Sequence, residues 1–209
     1  MSDKIVTYIQ TVKVKRKVSF PRPVLGFAEK LYLNRTYSSI AVLFMKVLVA
    51  YMSWTGNTKK VAEAIYDAIP QPKEIKPVEE VTSLEGNDLT FLGFPTHNFG
   101  PDEPTKAFLG TRVKDRAIAL FITHMAPEHI PALEGIIQKF RDAAVGANVV
   151  GVFDCQGQAC EEVKTFMLNS PNPRLVAAAQ ADSSQGQPDA TRLEHARTFA
   201  IETMNKFKP

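Results

Sequence analysis

Cysteine, histidine and tryptophan are scarce in this chain, which has two, four and one of them among 209 residues. The cysteines, Cys155 and Cys160, are too few for a disulfide framework, and no His/Cys cluster has the spacing of a metal site. We therefore expect no metal and a reducing compartment, the cytoplasm. Long apolar runs are also missing. Residues 40–52 are apolar apart from Lys46 but are too short to span a bilayer, so we expect no membrane insertion.

Charge is unevenly distributed along the chain. Residues 1–44 carry eight of the 25 Lys and Arg and two of the 22 Asp and Glu, whereas residues 45–209 have a net charge of −3. The sequence therefore predicts a basic N-terminal extension over 1–44 and one acidic domain over 45–209, with no nucleic-acid partner. The extension has no apolar core after its basic cluster, so it is not a secretory signal. Two hypotheses stay open for it: an over-extended gene model with its natural start at Met45, or a functional basic arm for an anionic partner or membrane surface.

A hydroxyl-rich turn with one glycine, residues 53–58, lies between an apolar run of strand length and a segment with helical periodicity. The free amides at a helix start point outward, and the helix dipole favours an anion there. Hydroxyls add donors, and a glycine lets the backbone approach a ligand closely. We predict that the whole turn binds a phosphate group: Ser53, Trp54, Thr55, Gly56, Asn57 and Thr58.

The residues that this turn lacks exclude several classes of phosphate ligand. It has no Gly-x-x-x-x-Gly-Lys-Ser/Thr for a nucleoside triphosphate and no dinucleotide fingerprint. It has no cysteine or arginine for a phosphatase-type cradle. A terminal monophosphate held by hydroxyls and amides remains, and the alternative is a helix cap without a ligand. The pattern Ser/Thr-x-Thr-Gly-x-Thr after the first strand resembles the phosphate loop of flavodoxins, and this resemblance implies flavin mononucleotide (FMN) as the cofactor.

From Met45 onward, strand and helix patterns alternate with short connections, which indicates a parallel sheet with helices on both faces. Together with the resemblance, this predicts an α/β doubly wound three-layer sandwich with a five-stranded sheet in the flavodoxin-like order 2-1-3-4-5. The Ser/Gln/Pro-rich segment 170–188 is expected to be a long surface loop. The predicted strands are 46–52, 73–78, 89–95, 116–123 and 148–154, and the predicted helices are 58–69, 102–110, 129–145, 160–168 and 189–207.

The resemblance also implies ligand contacts after the third strand. In flavodoxins, the corresponding loop covers one face of the flavin ring with an aromatic side chain and offers a peptide that can reorient towards N5. By position, Phe99 or His97 would cover the ring, and a peptide between Asn98 and Gly100 would face N5. Gly100 tolerates the positive φ that such a reorientation needs. The alternative is a tight turn without a ligand. The predicted cofactor residues of this loop are Pro95, Thr96, His97, Asn98, Phe99 and Gly100.

After the fourth strand the resemblance weakens, because the chain has neither the tyrosine nor the acidic cluster that electron-carrying flavodoxins place there. We predict Thr123, His124 and Met125 as cofactor residues, with a solvated loop as the alternative. The fifth strand ends in Cys155-Gln156-Gly157, which resembles a subgroup of short flavodoxin-like proteins, and Cys155 and Gly157 complete the predicted site. The alternative for Cys155 is a small buried hydrophobic side chain.

The resemblance implies a low-potential FMN-binding electron carrier, which passes electrons between a reductase and an acceptor protein in transient complexes. An acidic domain without a paired cation at the phosphate disfavours a negatively charged reduced flavin and so lowers the potential. Two alternatives stay open: an FMN-dependent NAD(P)H:acceptor oxidoreductase of quinone type, and a binding module that has lost its flavin. The four histidines are scattered in sequence, and none has an evident catalytic partner.

Overall fold

A single parallel sheet forms the centre of the structure, a computed structural model that describes residues 45–207. The strands lie in the order β2-β1-β3-β4-β5, and all neighbouring pairs are parallel. This confirms the predicted fold class, whereas the predicted extension over 1–44 lies outside the described residues. The strands are β1 Val47–Tyr51, β2 Lys73–Pro77, β3 Leu89–Pro95, β4 Ala117–His124 and β5 Asn148–Gln156.

Within residues 45–207, six α-helices connect or follow the strands, and aspartate side chains cap the start of two of them. The Asp102 side chain accepts a hydrogen bond from the Thr105 amide, and Asp189 accepts one from the Arg192 amide, so both carboxylates cap a helix start. Predicted and observed ends differ by at most two residues. The helices are α1 Asn57–Ala68, α2 Glu103–Arg112, α3 Pro131–Ala143, α4 Glu161–Leu168, α5 Pro173–Gln180 and α6 Ala190–Lys206, with a 3-10 turn at Val78–Glu80.

Two apolar cores lie on the two faces of the sheet, as alternation along the strands requires. In β1, Val47 and Val49 face the core shared with α1 and α6, whereas Leu48 and Ala50 face the core shared with α2 and α3. The last helix packs on the sheet: Ala196, Ala200 and Met204 are buried in the first of these cores. Residues 118–122 of β4 are fully buried, as expected of a central parallel strand.

The predicted loop over 170–188 was wrong in part, because it contains α5. The Asn172 side chain accepts a hydrogen bond of 3.0 Å from the Arg174 amide, and Pro173 occupies the first turn, where a proline costs the helix no hydrogen bond. The next residues, 175–179, are Leu-Val-Ala-Ala-Ala, mostly good helix formers, and Ala179 is buried. This short helix was not predicted because the Ser, Gln and Pro residues on both sides of it make the whole segment resemble a loop in composition.

Among residues 45–207, no helix combines the length and apolar character needed to cross a membrane. A cleft of about 210 Å³ opens near the N-terminal ends of β3 and β4, the opposite edge from the predicted site. It is lined mostly by polar side chains such as Thr82, Arg112 and Lys114. The predicted site residues lie instead in the loops at the C-terminal edge of the sheet.

Candidate cofactor site

Ser53 and Gly56 determine the backbone conformation of the turn between β1 and α1. Gly56 has a φ of +88°, a left-handed conformation that glycine adopts without strain. The Ser53 hydroxyl oxygen accepts hydrogen bonds from the amides of Gly56 at 3.1 Å and Lys59 at 3.3 Å. These two bonds curl the backbone around the Ser53 side chain, whose hydroxyl hydrogen remains available for a ligand.

The start of α1 retains unused donors. Within residues 45–207, the amides of Asn57 and Thr58 have no hydrogen-bond partner, as the first turn of a helix leaves them. The Thr55 hydroxyl oxygen accepts a 3.0 Å hydrogen bond from the Asn57 side chain and keeps its own hydrogen free to donate. The first turn of α1 carries no acidic residue. The amides and hydroxyls together suit an anion with several oxygen atoms, such as a phosphate.

Thr58 differs from the other hydroxyl residues of the turn, because its side chain is buried. Its Oγ1 lies 2.8 Å from Oγ1 of Thr123 at the end of β4, and both residues are almost fully buried. The Thr58 hydroxyl thus has a partner within the protein, and either of the two hydroxyls can be the donor of this bond. The backbone amide of Thr58 is a further donor for a ligand. The pair joins the turn to the adjacent part of the sheet.

Gly157 brings the end of β5 against the same turn. A Cβ at this position would lie 2.9 Å from the Asn57 Cβ, which no side chain tolerates, so only glycine permits this approach. The Asn57 side chain donates a 2.8 Å hydrogen bond to the Gln158 carbonyl, and the Gly157 amide donates to the His124 carbonyl at 2.8 Å. Gly157, one of the predicted site residues, therefore lies beside the turn, and its lack of a side chain leaves room for Asn57.

The chain after β3 makes a two-residue turn closed by His97 and Gly100, whose backbones exchange two hydrogen bonds. The positive φ angles belong to the central residues, Asn98 at 45° and Phe99 at 63°, rather than to Gly100. A two-residue hairpin turn of the primed kind requires positive φ at both central positions. For Phe99, this conformation costs about 1–2 kcal/mol. The neighbouring loop residue Thr96 donates its amide to the Thr123 carbonyl at 2.8 Å.

Aromatic side chains of two loops meet at this turn. The rings of Trp54 and His97 lie edge to face, with centroids 5.4 Å apart and an angle of 87° between their planes. Phe99 is 63% exposed and Trp54 is 57% exposed. Of the two candidates for covering a ring, His97 contacts the turn 53–58 through Trp54, whereas Phe99 is largely exposed to solvent.

Lys139 of α3 contacts the turn 97–100, and the sequence did not predict this contact. Its Nζ donates a 2.9 Å hydrogen bond to the Phe99 carbonyl, and its Cδ lies 3.1 Å from where a Cβ on Gly100 would be. Glycine at position 100 therefore makes room for the lysine stem. Nothing in the sequence links a lysine in the middle of a helix with a turn 40 residues upstream, so no local signal could have found this contact.

His124 is fixed by the protein on both sides of its ring. Nδ1 lies 2.9 Å from the Ala126 carbonyl oxygen, and Nε2 lies 3.1 Å from a carboxylate oxygen of Asp154. The side chain is 2% exposed. Both ring nitrogens therefore have partners within the protein, and the buried ring links the loop after β4 to the end of β5. Met125, the next predicted residue, is half-buried, and its carbonyl accepts a 2.7 Å hydrogen bond from the Gln156 side chain.

Cys155 lies in the apolar core between the sheet and helices α1 and α6. Burial, aided by the nearby carboxylates of Glu128 and Asp154, raises the pKa of its thiol to about 12. The thiol is therefore neutral at physiological pH. This arrangement favours the alternative of a small buried side chain. Cys160 is half-buried, and both cysteines are free.

We expect the two thiols to differ in reactivity. At pH 8, a disulfide reagent such as DTNB should modify Cys160 but not Cys155 in the folded protein, because only thiolates react and Cys155 is both protonated and buried. Unfolding in guanidinium should release the second thiol. A Cys160→Ser variant should react only after unfolding. Two reactive thiols in the folded wild-type protein would contradict the position of Cys155.

Residues 45–207 contain no group of three or more metal-binding side chains. The structure instead brings four loops together: the turn after β1 and the chain after β3, β4 and β5. The fold and this site define a class of proteins, doubly wound α/β domains with a hydroxyl-rich turn at the end of the first strand. A family model described as "Flavodoxin domain" matches residues 48–201. The chain therefore belongs to the flavodoxin domain family, a family of flavoproteins, which confirms the resemblance found in the sequence.

Known relatives agree with this assignment. The chain is 34% identical over 173 residues to the flavodoxin-like domain-containing protein BilS of Clostridioides difficile (strain CD3), and the match covers 78% of this chain and 98% of BilS. A flavodoxin from the domain Archaea has a TM-score of 0.50 at 19% identity, with 78% of this chain and 98% of that chain covered. A short-chain flavodoxin associated with a bacterial microcompartment has a TM-score of 0.50 at 14% identity, with the same coverage. Such structural likeness concerns the fold.

Proposed function

We propose that this protein binds FMN and carries electrons between a reductase and an acceptor protein. The observation that supports the proposal best is the turn at Ser53–Thr58, which combines unpartnered helix amides with free hydroxyl hydrogens and contains no lysine or arginine. A terminal phosphate with two negative charges satisfies such a set of donors. Bound FMN would supply the reversible uptake and release of electrons.

The protein's own residues would bind and orient the cofactor. Ser53, Thr55 and the amides of Asn57 and Thr58 would hold the phosphate, and the chain after β3 and β4 would flank the ring. Thr123 would keep the turn in register with the sheet through Thr58. The exposed side chains of Trp54 and Phe99 leave an apolar rim beside the site, which suits brief contact with a partner protein.

A carrier is favoured over a self-sufficient oxidoreductase because the two histidines of the candidate site are engaged within the protein. Among the described residues, His124 is locked between Ala126 and Asp154, and His97 contacts Trp54, so neither forms an acid–base pair directed at a substrate. We place the protein in the cytoplasm, because both cysteines are free thiols, as in reducing compartments.

Trp54 allows the proposal to be tested directly, since it is the single tryptophan of the chain and lies in the turn. FMN added to the flavin-free protein should quench Trp54 emission, because a bound flavin accepts its excitation energy. Ser53→Ala and Thr55→Ala should each weaken FMN binding by about 1–3 kcal/mol, since each removes a hydrogen bond to a charged group.

Riboflavin, which lacks the phosphate, is the matched ligand control, and neither substitution should change its affinity. Thr111→Ala, on α2 and away from the turn, is the matched protein control. Equal affinities for FMN and riboflavin would contradict the phosphate assignment. A second measurement separates the two redox roles: NAD(P)H alone should bleach the flavin negligibly if the protein is a carrier, and rapid bleaching would favour the oxidoreductase.

A further inference from the structure

An ion pair anchors the loop after β4 to the last helix. Arg192 of α6 binds the Glu128 carboxylate with two hydrogen bonds, Nε to Oε1 at 2.7 Å and an Nη to Oε2 at 3.1 Å. Both side chains are only about one-fifth exposed, at 20% and 22%. A bidentate Arg–carboxylate pair that is largely shielded from water is geometrically specific and much stronger than an exposed pair.

The same carboxylate also holds the end of β5. Glu128 Oε1 accepts a 3.0 Å hydrogen bond from the Gln156 amide, and the Gln156 side chain donates to the Met125 carbonyl at 2.7 Å. Arg192 is itself held by Asp189, whose carboxylate lies 3.1 Å from an Nη atom. The pair thus ties three segments together at the edge of the sheet where the cofactor site lies.

We propose that Arg192 is a positioning residue for the cofactor, acting through Glu128 on the loop 123–129. The inference rests on the proposed function, because it concerns how the flavin is held. Arg192 lies in α6, outside the four loops of the site, and reaches the loop only through the Glu128 carboxylate. Its role is to keep the loop in one conformation before the flavin binds, so that binding does not have to order it.

The pair also balances charge beside the site. Arg192→Gln leaves the Glu128 carboxylate without its cation, so an electron arriving at the flavin meets extra negative charge and the midpoint potential falls. Glu128→Gln has the opposite effect and raises the potential, moderated by Asp189, which still pairs with Arg192. Both substitutions free the loop, so both should weaken FMN binding by about tenfold.

The experiment measures FMN affinity and midpoint potential for Arg192→Gln, Glu128→Gln, the double variant and Arg192→Lys. In the double variant, we expect the potential to return towards the wild-type value while the affinity stays low. Arg192→Lys keeps the charge but not the bidentate geometry, so its potential should stay close to wild type and its affinity should be intermediate. The matched control is Arg197→Gln, on the same helix, which removes an exposed pair with Glu194.

Potential shifts of the same sign in the two single variants, or unchanged affinity in both, would overturn the inference, because a general loss of stability does not produce opposite shifts. A readout without flavin separates this failure from failure of the proposed function. In the flavin-free protein, amide hydrogen exchange at Gln156 and across 124–128 should quicken in Arg192→Gln and not in Arg197→Gln. If wild-type protein binds no FMN, the proposed function fails, and unchanged exchange would overturn the positioning role as well.

Discussion

Replacing Gly93 by alanine is expected to lower the free energy of unfolding by about 3 kcal/mol, because the added methyl group overlaps a fully buried ring. A Cβ on Gly93 would lie 2.7 Å from Cδ2 of Phe121 on the neighbouring strand and closer still to Cε2 and Cζ. Phe121 is 0% exposed and packs in the core beneath α1 and α6, so its ring cannot move away without displacing other side chains.

The effect should extend to cofactor binding. The Gly93 carbonyl accepts a 2.9 Å hydrogen bond from the amide of Met52, the residue just before the turn 53–58. A shift of β3 at this point would therefore move the start of the turn, and FMN affinity should fall with stability.

Denaturant unfolding monitored by circular dichroism measures this effect, and the chain provides matched Gly→Ala controls. Gly110 in α2 and Gly135 in α3 are exposed, and a Cβ at either position would meet no atom within 4 Å. There, alanine should stabilise the protein by about 0.5–1 kcal/mol. Adding Phe121→Leu to Gly93→Ala should recover part of the loss. A Gly93→Ala variant as stable as the wild type would contradict the close approach of the two strands.

Replacing Thr58 by valine, which has nearly the same shape, is expected to destabilise the protein by about 1–3 kcal/mol. The substitution removes one hydroxyl of the buried pair and leaves the Thr123 hydroxyl without its 2.8 Å partner. Because Thr58 is in the first turn of α1, we also expect FMN affinity to fall, even though the hydroxyl itself faces Thr123.

A double-mutant cycle isolates the pair. Thr58→Val combined with Thr123→Val should cost less than the sum of the two single substitutions, because no buried hydroxyl is then left unpaired. Thr198→Val, on the exposed side of α6, is the control and should change stability by no more than about 0.5 kcal/mol. Strict additivity of the two buried substitutions would show that the hydroxyls do not interact.

Most of the fold could be predicted from the sequence, because its signals are local. Alternating apolar runs and helical stripes located all five strands and the longer helices, and parallel sheets of this kind follow a small set of strand orders. The short helix Pro173–Gln180 was missed, because eight residues between Ser- and Pro-rich flanks give little periodicity. Its cap at Asn172 was the available signal.

The candidate site was predictable in outline for the same reason. The turn at 53–58 carries its chemistry within six consecutive residues, and the C-terminal ends of parallel strands meet at one edge of the sheet. The roles of single side chains were harder to predict from the sequence. The pairing of Thr58 with Thr123 and the positive φ angles of Asn98 and Phe99 had no signal in the sequence.

The amino-acid sequence by itself determined the order of the elements and the place of the hydroxyl-rich turn 53–58, because both depend on residues that are neighbours in the chain. Only the tertiary structure decided which side chains hold that site: Lys139 on the Phe99 carbonyl, Asn57 against Gly157, and Arg192 on Glu128. These partners are 40, 100 and 64 residues apart, and their contacts depend on strand register and helix packing. No local pattern encodes such geometry, since it arises only when the sheet and its two helical layers pack together.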